Sequence, residues 1–137
     1  MSVQAGLLDT NTVILLQDLD AATLPDEALI STVTLAELSV GSLVAEDDRE
    51  RATRQGHLQQ AEADFDPLPF DVAAARAYGR IAATLRSAGH KRKARAFDAL
   101  IAATAVANDL PLYTCKPADF ENIEGLDLRP VPHPGSG

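Results

Sequence analysis

The stretch AGLLDTNTVILLQ, Ala5–Gln17, changes character at a single residue. Ala5 to Leu8 is a short apolar run, the pattern of a strand buried inside a parallel sheet. Asp9 follows at its carboxyl end. TVILLQ, Thr12–Gln17, then fits a helix, with Thr10 or Asn11 as the expected N-cap. A strand that passes so quickly into a helix opens a βα unit, and the remainder of the chain continues that alternation.

LISTV, Leu29–Val33, reads as a second strand, and TLAELSVGSLVA, Thr34–Ala45, as the helix after it. The charged segment Glu46–Phe65 has helical spacing and predicts one exposed helix or a pair. PLPF, Pro67–Phe70, reads as a short third strand between turn signals. Asp71–Gly89 repeats apolar residues at helical intervals and stops at a glycine, a favoured C-terminal signal. AFDALIAATAVA, Ala96–Ala107, is apolar enough to predict a buried helix that ends near NDLP. LYTC, Leu112–Cys115, predicts a fourth strand. LRPVP, Leu128–Pro132, predicts a last strand, confined to an edge by its prolines. Strands alternating with helices predict an α/β fold, with a mostly parallel sheet of four or five strands covered by helices on both faces.

At 137 residues the chain fits one domain, expected over residues 1–132, with HPGSG (133–137) as a disordered tail. No apolar run is long enough to span a bilayer, and the first ten residues lack a signal-peptide pattern. A cytoplasmic protein without a membrane partner is therefore expected. Cys115 is the only cysteine, which excludes an internal disulfide framework, and His57, His90 and His133 are too scattered for a zinc site. The net charge of −8 argues against broad nucleic-acid binding. Yet five of the twelve basic residues, Arg86, Lys91, Arg92, Lys93 and Arg95, fall together just before Asp98. That cluster is either a solvated turn or a guide for a phosphate backbone.

Four acids occupy unusual positions. Asp9 and Asp119 lie just past predicted strands, where open α/β sheets bind ligands. Glu37 and Asp98 lie on helices, and their helical neighbours are small and apolar: Val40, Gly41 and Val44 for Glu37, and Ala94, Ile101, Ala102 and Ala105 for Asp98. Each alone has an ordinary explanation, as a cap, a good helix former or a first-turn acid favoured by the helix dipole. Gathered together, four carboxylates would repel one another unless a cation lay between them. A hard divalent ion, Mg2+ or Mn2+, suits an all-oxygen site.

These stretches resemble the PIN-domain ribonucleases, and within them the VapC-type toxins of bacterial type II toxin–antitoxin pairs. LLDTN matches the opening aspartate motif with Asp9, Thr10 and Asn11; STVTLAEL matches the second, with Ser31, Thr34 and Glu37. FDALIAATA matches the third, with Asp98. TCKPADF matches the last, with Thr114 and Asp119, but carries Lys116 where the family often has Asn or Asp. That lysine would either lower the negative charge of the pocket or point outward toward substrate phosphate.

The resemblance implies a three-layer α/β/α PIN-like domain and a metal-dependent endoribonuclease. Asp9 and Asp98 would be direct ligands of Mg2+ or Mn2+. Glu37 and Asp119 would complete the catalytic set, and Thr10, Asn11 and Thr114 would support the acids or the attacking water. It also implies an RNA substrate, met by Lys91, Arg92, Lys93 and Arg95, together with a small VapB-type antitoxin and a homodimer. The helix TLAELSVGSLVA would either give the antitoxin an apolar groove or form ordinary core. Two rival readings are a PIN-like RNA- or protein-binding module without strong catalysis, and a phosphoacceptor signalling domain with Asp71 as an acceptor candidate.

Overall fold

The computed structural model describes residues 3–87 and 96–135. Its centre is a four-stranded parallel sheet in the order β2-β1-β3-β4, formed by β1 (Ala5–Leu8), β2 (Glu27–Leu29), β3 (Leu112–Thr114) and β4 (Leu128–Pro130). Among the described residues, five α-helices accompany it: α1 (Thr10–Leu15), α2 (Thr32–Leu43), α3 (Asp48–Asp64), α4 (Val72–Ser87) and α5 (Ala96–Ala107). The α/β/α layering expected from the sequence is the layering observed.

Strand alternation explains how the layers are glued. Leu7 and Leu8 are both fully buried but point to opposite faces. Leu7 joins Ile81 of α4 and Ile101 and Ala105 of α5 in the larger core cluster. Leu8 joins Tyr113 and Val131, against which Val13 and Leu16 pack from the other side. A third cluster, Ile30, Leu38 and Ala61, ties α2 to α3. Burying a side chain of this kind contributes about 1.5–3 kcal/mol. Gly6 allows β1 and β3 to close, because a Cβ there would come within 2.6 Å of the Tyr113 ring.

Three local expectations are corrected. Asp9, rather than Thr10 or Asn11, is the N-cap of α1, and its side chain accepts from the Thr12 N–H. The second strand ends at Leu29 instead of running to Val33, because Ser31 caps α2 by accepting from the Thr34 N–H at 3.2 Å. PLPF forms a single bridge, Leu68 to Ser31, and no strand. Pro67 and Pro69 have no N–H to donate, so only Leu68 bonds to the neighbouring backbone: its N–H donates to Ile30 and its carbonyl accepts from Thr32. The charged segment is one helix, α3, in which Ala61 is the only buried residue.

The buried helix α5 ends as the sequence suggested. Asp109 takes φ of 52°, the Leu110 N–H reaches back to the Ala105 carbonyl and the Asp109 N–H to that of Val106. This six-to-one closure usually recruits glycine, and Pro111 prevents the helix from resuming. Gly89, the predicted stop of α4, lies outside the described residues, as do Ala94 and the basic residues Lys91, Arg92, Lys93 and Arg95.

Candidate active site

Asp9 is the fixed point of the site. It stands one residue past β1, is only 4% exposed, and is surrounded by donors. Oδ1 accepts from the Thr12 backbone N–H at 3.0 Å and from the Thr12 hydroxyl through a very short contact. Oδ2 accepts from the Thr114 hydroxyl at 2.7 Å. The N-cap geometry of α1 supplies the first bond, and the parallel pairing of β1 with β3 brings Thr114 alongside for the last. Charge-assisted bonds of this kind offset the cost of desolvating a carboxylate, at about 1.5–3 kcal/mol each.

Glu37 stands across Thr10 from Asp9. The Thr10 hydroxyl donates to Glu37 Oε1 at 2.6 Å and lies 3.1 Å from the Thr34 hydroxyl. Partial burial raises the proton affinity of Glu37, the Thr10 bond opposes this, and the negative charge of Asp9 raises it further. Two of the four predicted acids are thus electrostatically coupled. Val40 and Val44, the apolar helical neighbours of Glu37, are exposed, so Glu37 lies where a buried acid edge meets an open apolar face.

The other two acids are carried by elements packed against these. Asp98 lies in the first turn of α5, half-buried, and not deeply buried as its apolar surroundings suggested. Helix α5 packs on α2, which carries Glu37, and on the 3-10 turn Pro117–Phe120. That turn carries Asp119, also half-buried; Pro117 begins it and the buried Phe120 anchors it in the core. Among the described residues, no three acidic, histidine or cysteine side chains stand close enough together to hold one ion. In donor chemistry, nevertheless, the Asp9–Glu37 pair offers only carboxylate oxygens, the set that a hard divalent cation prefers.

Of the predicted supporting residues, Thr10 serves Glu37 and Thr114 serves Asp9. Asn11 is half-exposed, and its side chain is outside this network among the described residues. Sequence reading missed Thr12. The available signal was a threonine three residues after a capping aspartate, where its N–H and hydroxyl can both reach the carboxylate. Lys116 is exposed, while its backbone N–H donates to the Thr114 hydroxyl. Burial pushes the Cys115 thiol up, a Thr12 bond opposes this and the charge of Asp9 adds to it, which disfavours thiolate chemistry. Asp71, the acceptor candidate of the phosphoacceptor reading, instead accepts from the Ala74 N–H at the start of α4.

A parallel α/β/α sheet with acids at the carboxyl ends of its strands defines a class of protein that binds ligands along that edge. The PIN domain profile matches residues 6–126. With that match and the relatives described next, the chain belongs to the PIN-domain family, among its VapC members. It is 40% identical over 124 residues to Ribonuclease VapC5 of Mycobacterium tuberculosis (strain ATCC 25618 / H37Rv), covering 88% of this chain and 89% of that one. It is 30% identical over 107 residues to Ribonuclease VapC of Rickettsia bellii (strain RML369-C), covering 78% of each. Among solved structures it is similar to VapBC-5 from Mycobacterium tuberculosis, a member of the VapBC family of toxin-antitoxin systems. That likeness has a TM-score of 0.78 and 36% identity, and covers 93% of this chain and 98% of the other.

Proposed function

We propose that the chain is an endoribonuclease that hydrolyses RNA phosphodiester bonds with Mg2+ or Mn2+, and that it is the toxin of a toxin–antitoxin pair. The observation that carries this reading is Asp9, buried at the end of β1 with donors on both oxygens and coupled to Glu37. The names of the relatives support it: two are called ribonucleases, and the similar solved structure belongs to toxin–antitoxin systems.

Asp9 and Asp98 would hold the cation, with Glu37 and Asp119 completing the acidic set. When bound, the cation supplies Lewis acidity, which polarises the phosphate and acidifies water for attack. The remaining work falls to the chain. Thr12 and Thr114 keep Asp9 in one orientation. The Thr10 hydroxyl occupies Glu37 Oε1, leaving Oε2 to orient the attacking water and take its proton. Lys116, exposed beside Thr114, meets substrate phosphate, and the cluster Lys91, Arg92, Lys93 and Arg95, outside the described residues, is assigned to the RNA backbone on its charge alone.

The partner is a VapB-type antitoxin, and the toxin acts as a homodimer. Val40, Leu43 and Val44 share one face of α2 and are 47%, 80% and 63% exposed, which supports the groove reading of this helix over the core reading. No described helix is long and apolar enough to cross a membrane.

The test is RNA cleavage by the free protein with Mg2+ or Mn2+, beside a chelator control and Asp98→Asn. Cleavage should vanish in both controls. Cleavage that survives both would overturn the proposal, and RNA binding without cleavage would favour the binding-module reading.

A further inference from the structure

The hydroxyls around Asp9 carry information beyond their presence, because the direction of each bond is fixed. A backbone N–H can only donate. The Cys115 N–H donates to Thr12 Oγ1 at 3.1 Å, so the single Thr12 hydroxyl proton is left for Asp9 Oδ1. The Lys116 N–H donates to Thr114 Oγ1 at 2.9 Å, so the Thr114 proton is left for Asp9 Oδ2. Two successive N–H groups after β3 therefore orient two hydroxyls, and these clamp the two oxygens of one carboxylate. The partners are more than 100 residues apart in sequence: 103 separate Cys115 from Thr12 and 105 separate Thr114 from Asp9.

The two oxygens are not equivalent. Oδ1 accepts twice, from the Thr12 N–H and the Thr12 hydroxyl, and both of its lone pairs are used. Oδ2 accepts from Thr114 and keeps a lone pair. We infer that Thr12 is a positioning residue that commits Asp9 Oδ1 to the protein and so makes Oδ2 the atom through which Asp9 meets a divalent cation. Thr12 is fully buried, so the arrangement is shielded from competing water. The same relay ties the Asp9 carboxylate to the backbone that leads into the turn bearing Asp119. This inference rests on the metal-dependent reading of the site.

The experiment is Mn2+ titration calorimetry, with the metal alone, on the native chain, Thr12→Val and Thr12→Ser, with thermal melts alongside. Valine keeps the shape and removes the hydroxyl; serine keeps the hydroxyl and removes the methyl. Valine should weaken Mn2+ binding about 10-fold or more, and serine should bind within about 2-fold of native, as expected for a group that orients a metal ligand. Native affinity in the valine variant, or a serine variant as weak as valine, overturns the inference. If the valine variant does not fold, Thr12→Ala takes its place against serine, and equal native-like affinity in both overturns the inference. A native chain that binds no Mn2+ removes the metal reading and this inference together, whereas a native chain that binds beside an equally good valine variant removes the inference alone.

Discussion

At the carboxyl ends of β1 and β3, polar groups are buried: Asp9, Thr12 and Thr114 are at most 4% exposed. On the outer face of α2, apolar groups are open: Leu43 is 80% exposed. Both regions invert the usual placing of side chains, but they resolve it differently. The buried polar region is satisfied from within, since the described residues include no buried side-chain nitrogen or oxygen that lacks a partner. The apolar region is left open among the described residues. Under the proposed function the first would serve chemistry and the second association, and Glu37 lies at the boundary between them.

The largest effect expected comes from breaking the first region. Asp9→Ala removes the cap of α1 and the acceptor for two hydroxyls, and should cost about 3 kcal/mol in urea denaturation. A cost below about 1 kcal/mol would mean that the buried network does not act as a unit. Breaking the second region should look different. Leu43→Glu should leave stability within about 0.5 kcal/mol, because the side chain is already in water. It should weaken binding of the antitoxin about 10-fold, or about 1.4 kcal/mol, measured by calorimetry. A Leu43→Glu variant that unfolds would place this residue in the core after all.

The smallest effect belongs to the boundary. The proton affinity of Glu37 is raised in the folded chain, so the folded state binds the Glu37 proton more tightly than the unfolded state does. The stabilisation is therefore fully present below its ordinary value near 4.5 and is lost as pH rises through the folded value. Glu37→Gln, which still accepts from Thr10, should melt higher than native at pH 7 in chelator, and the difference should close as pH falls toward 4.5. A difference that widened on acidification would reverse the assigned sign.

Much of the fold was legible because it is local. The switch at Asp9, the helices α2 and α5 and the proline-limited strand β4 follow from period, caps and turn residues. The errors were local too, but they turned on competition. Ser31 can extend a strand or cap a helix, and it caps; PLPF has strand-like residues, but its prolines leave one donor. In the site, Asp9 was legible as an acid at a strand end, and Glu37 as an acid on an apolar helix face. What could not be read was which hydroxyl serves which acid. Thr10 and Thr12 are two residues apart, yet one supports Glu37 and the other Asp9. That division is set by distant partners: Glu37 of α2 takes the Thr10 hydroxyl, while the Cys115 N–H, just past β3, orients that of Thr12. Likewise the pattern of α2 could not separate its core side, Val33 and Leu38, from its open side, Val40, Leu43 and Val44.

The proposed function requires Asp9 and its acidic neighbours to hold a divalent cation where RNA is cut. Anomalous diffraction at the manganese edge, from crystals grown with Mn2+, tests it most directly. A peak should stand about 2.1 Å from Asp9 Oδ2 and be absent in Asp98→Asn. A peak away from Asp9, or none at saturating Mn2+ in a chain that still cleaves RNA, would contradict it.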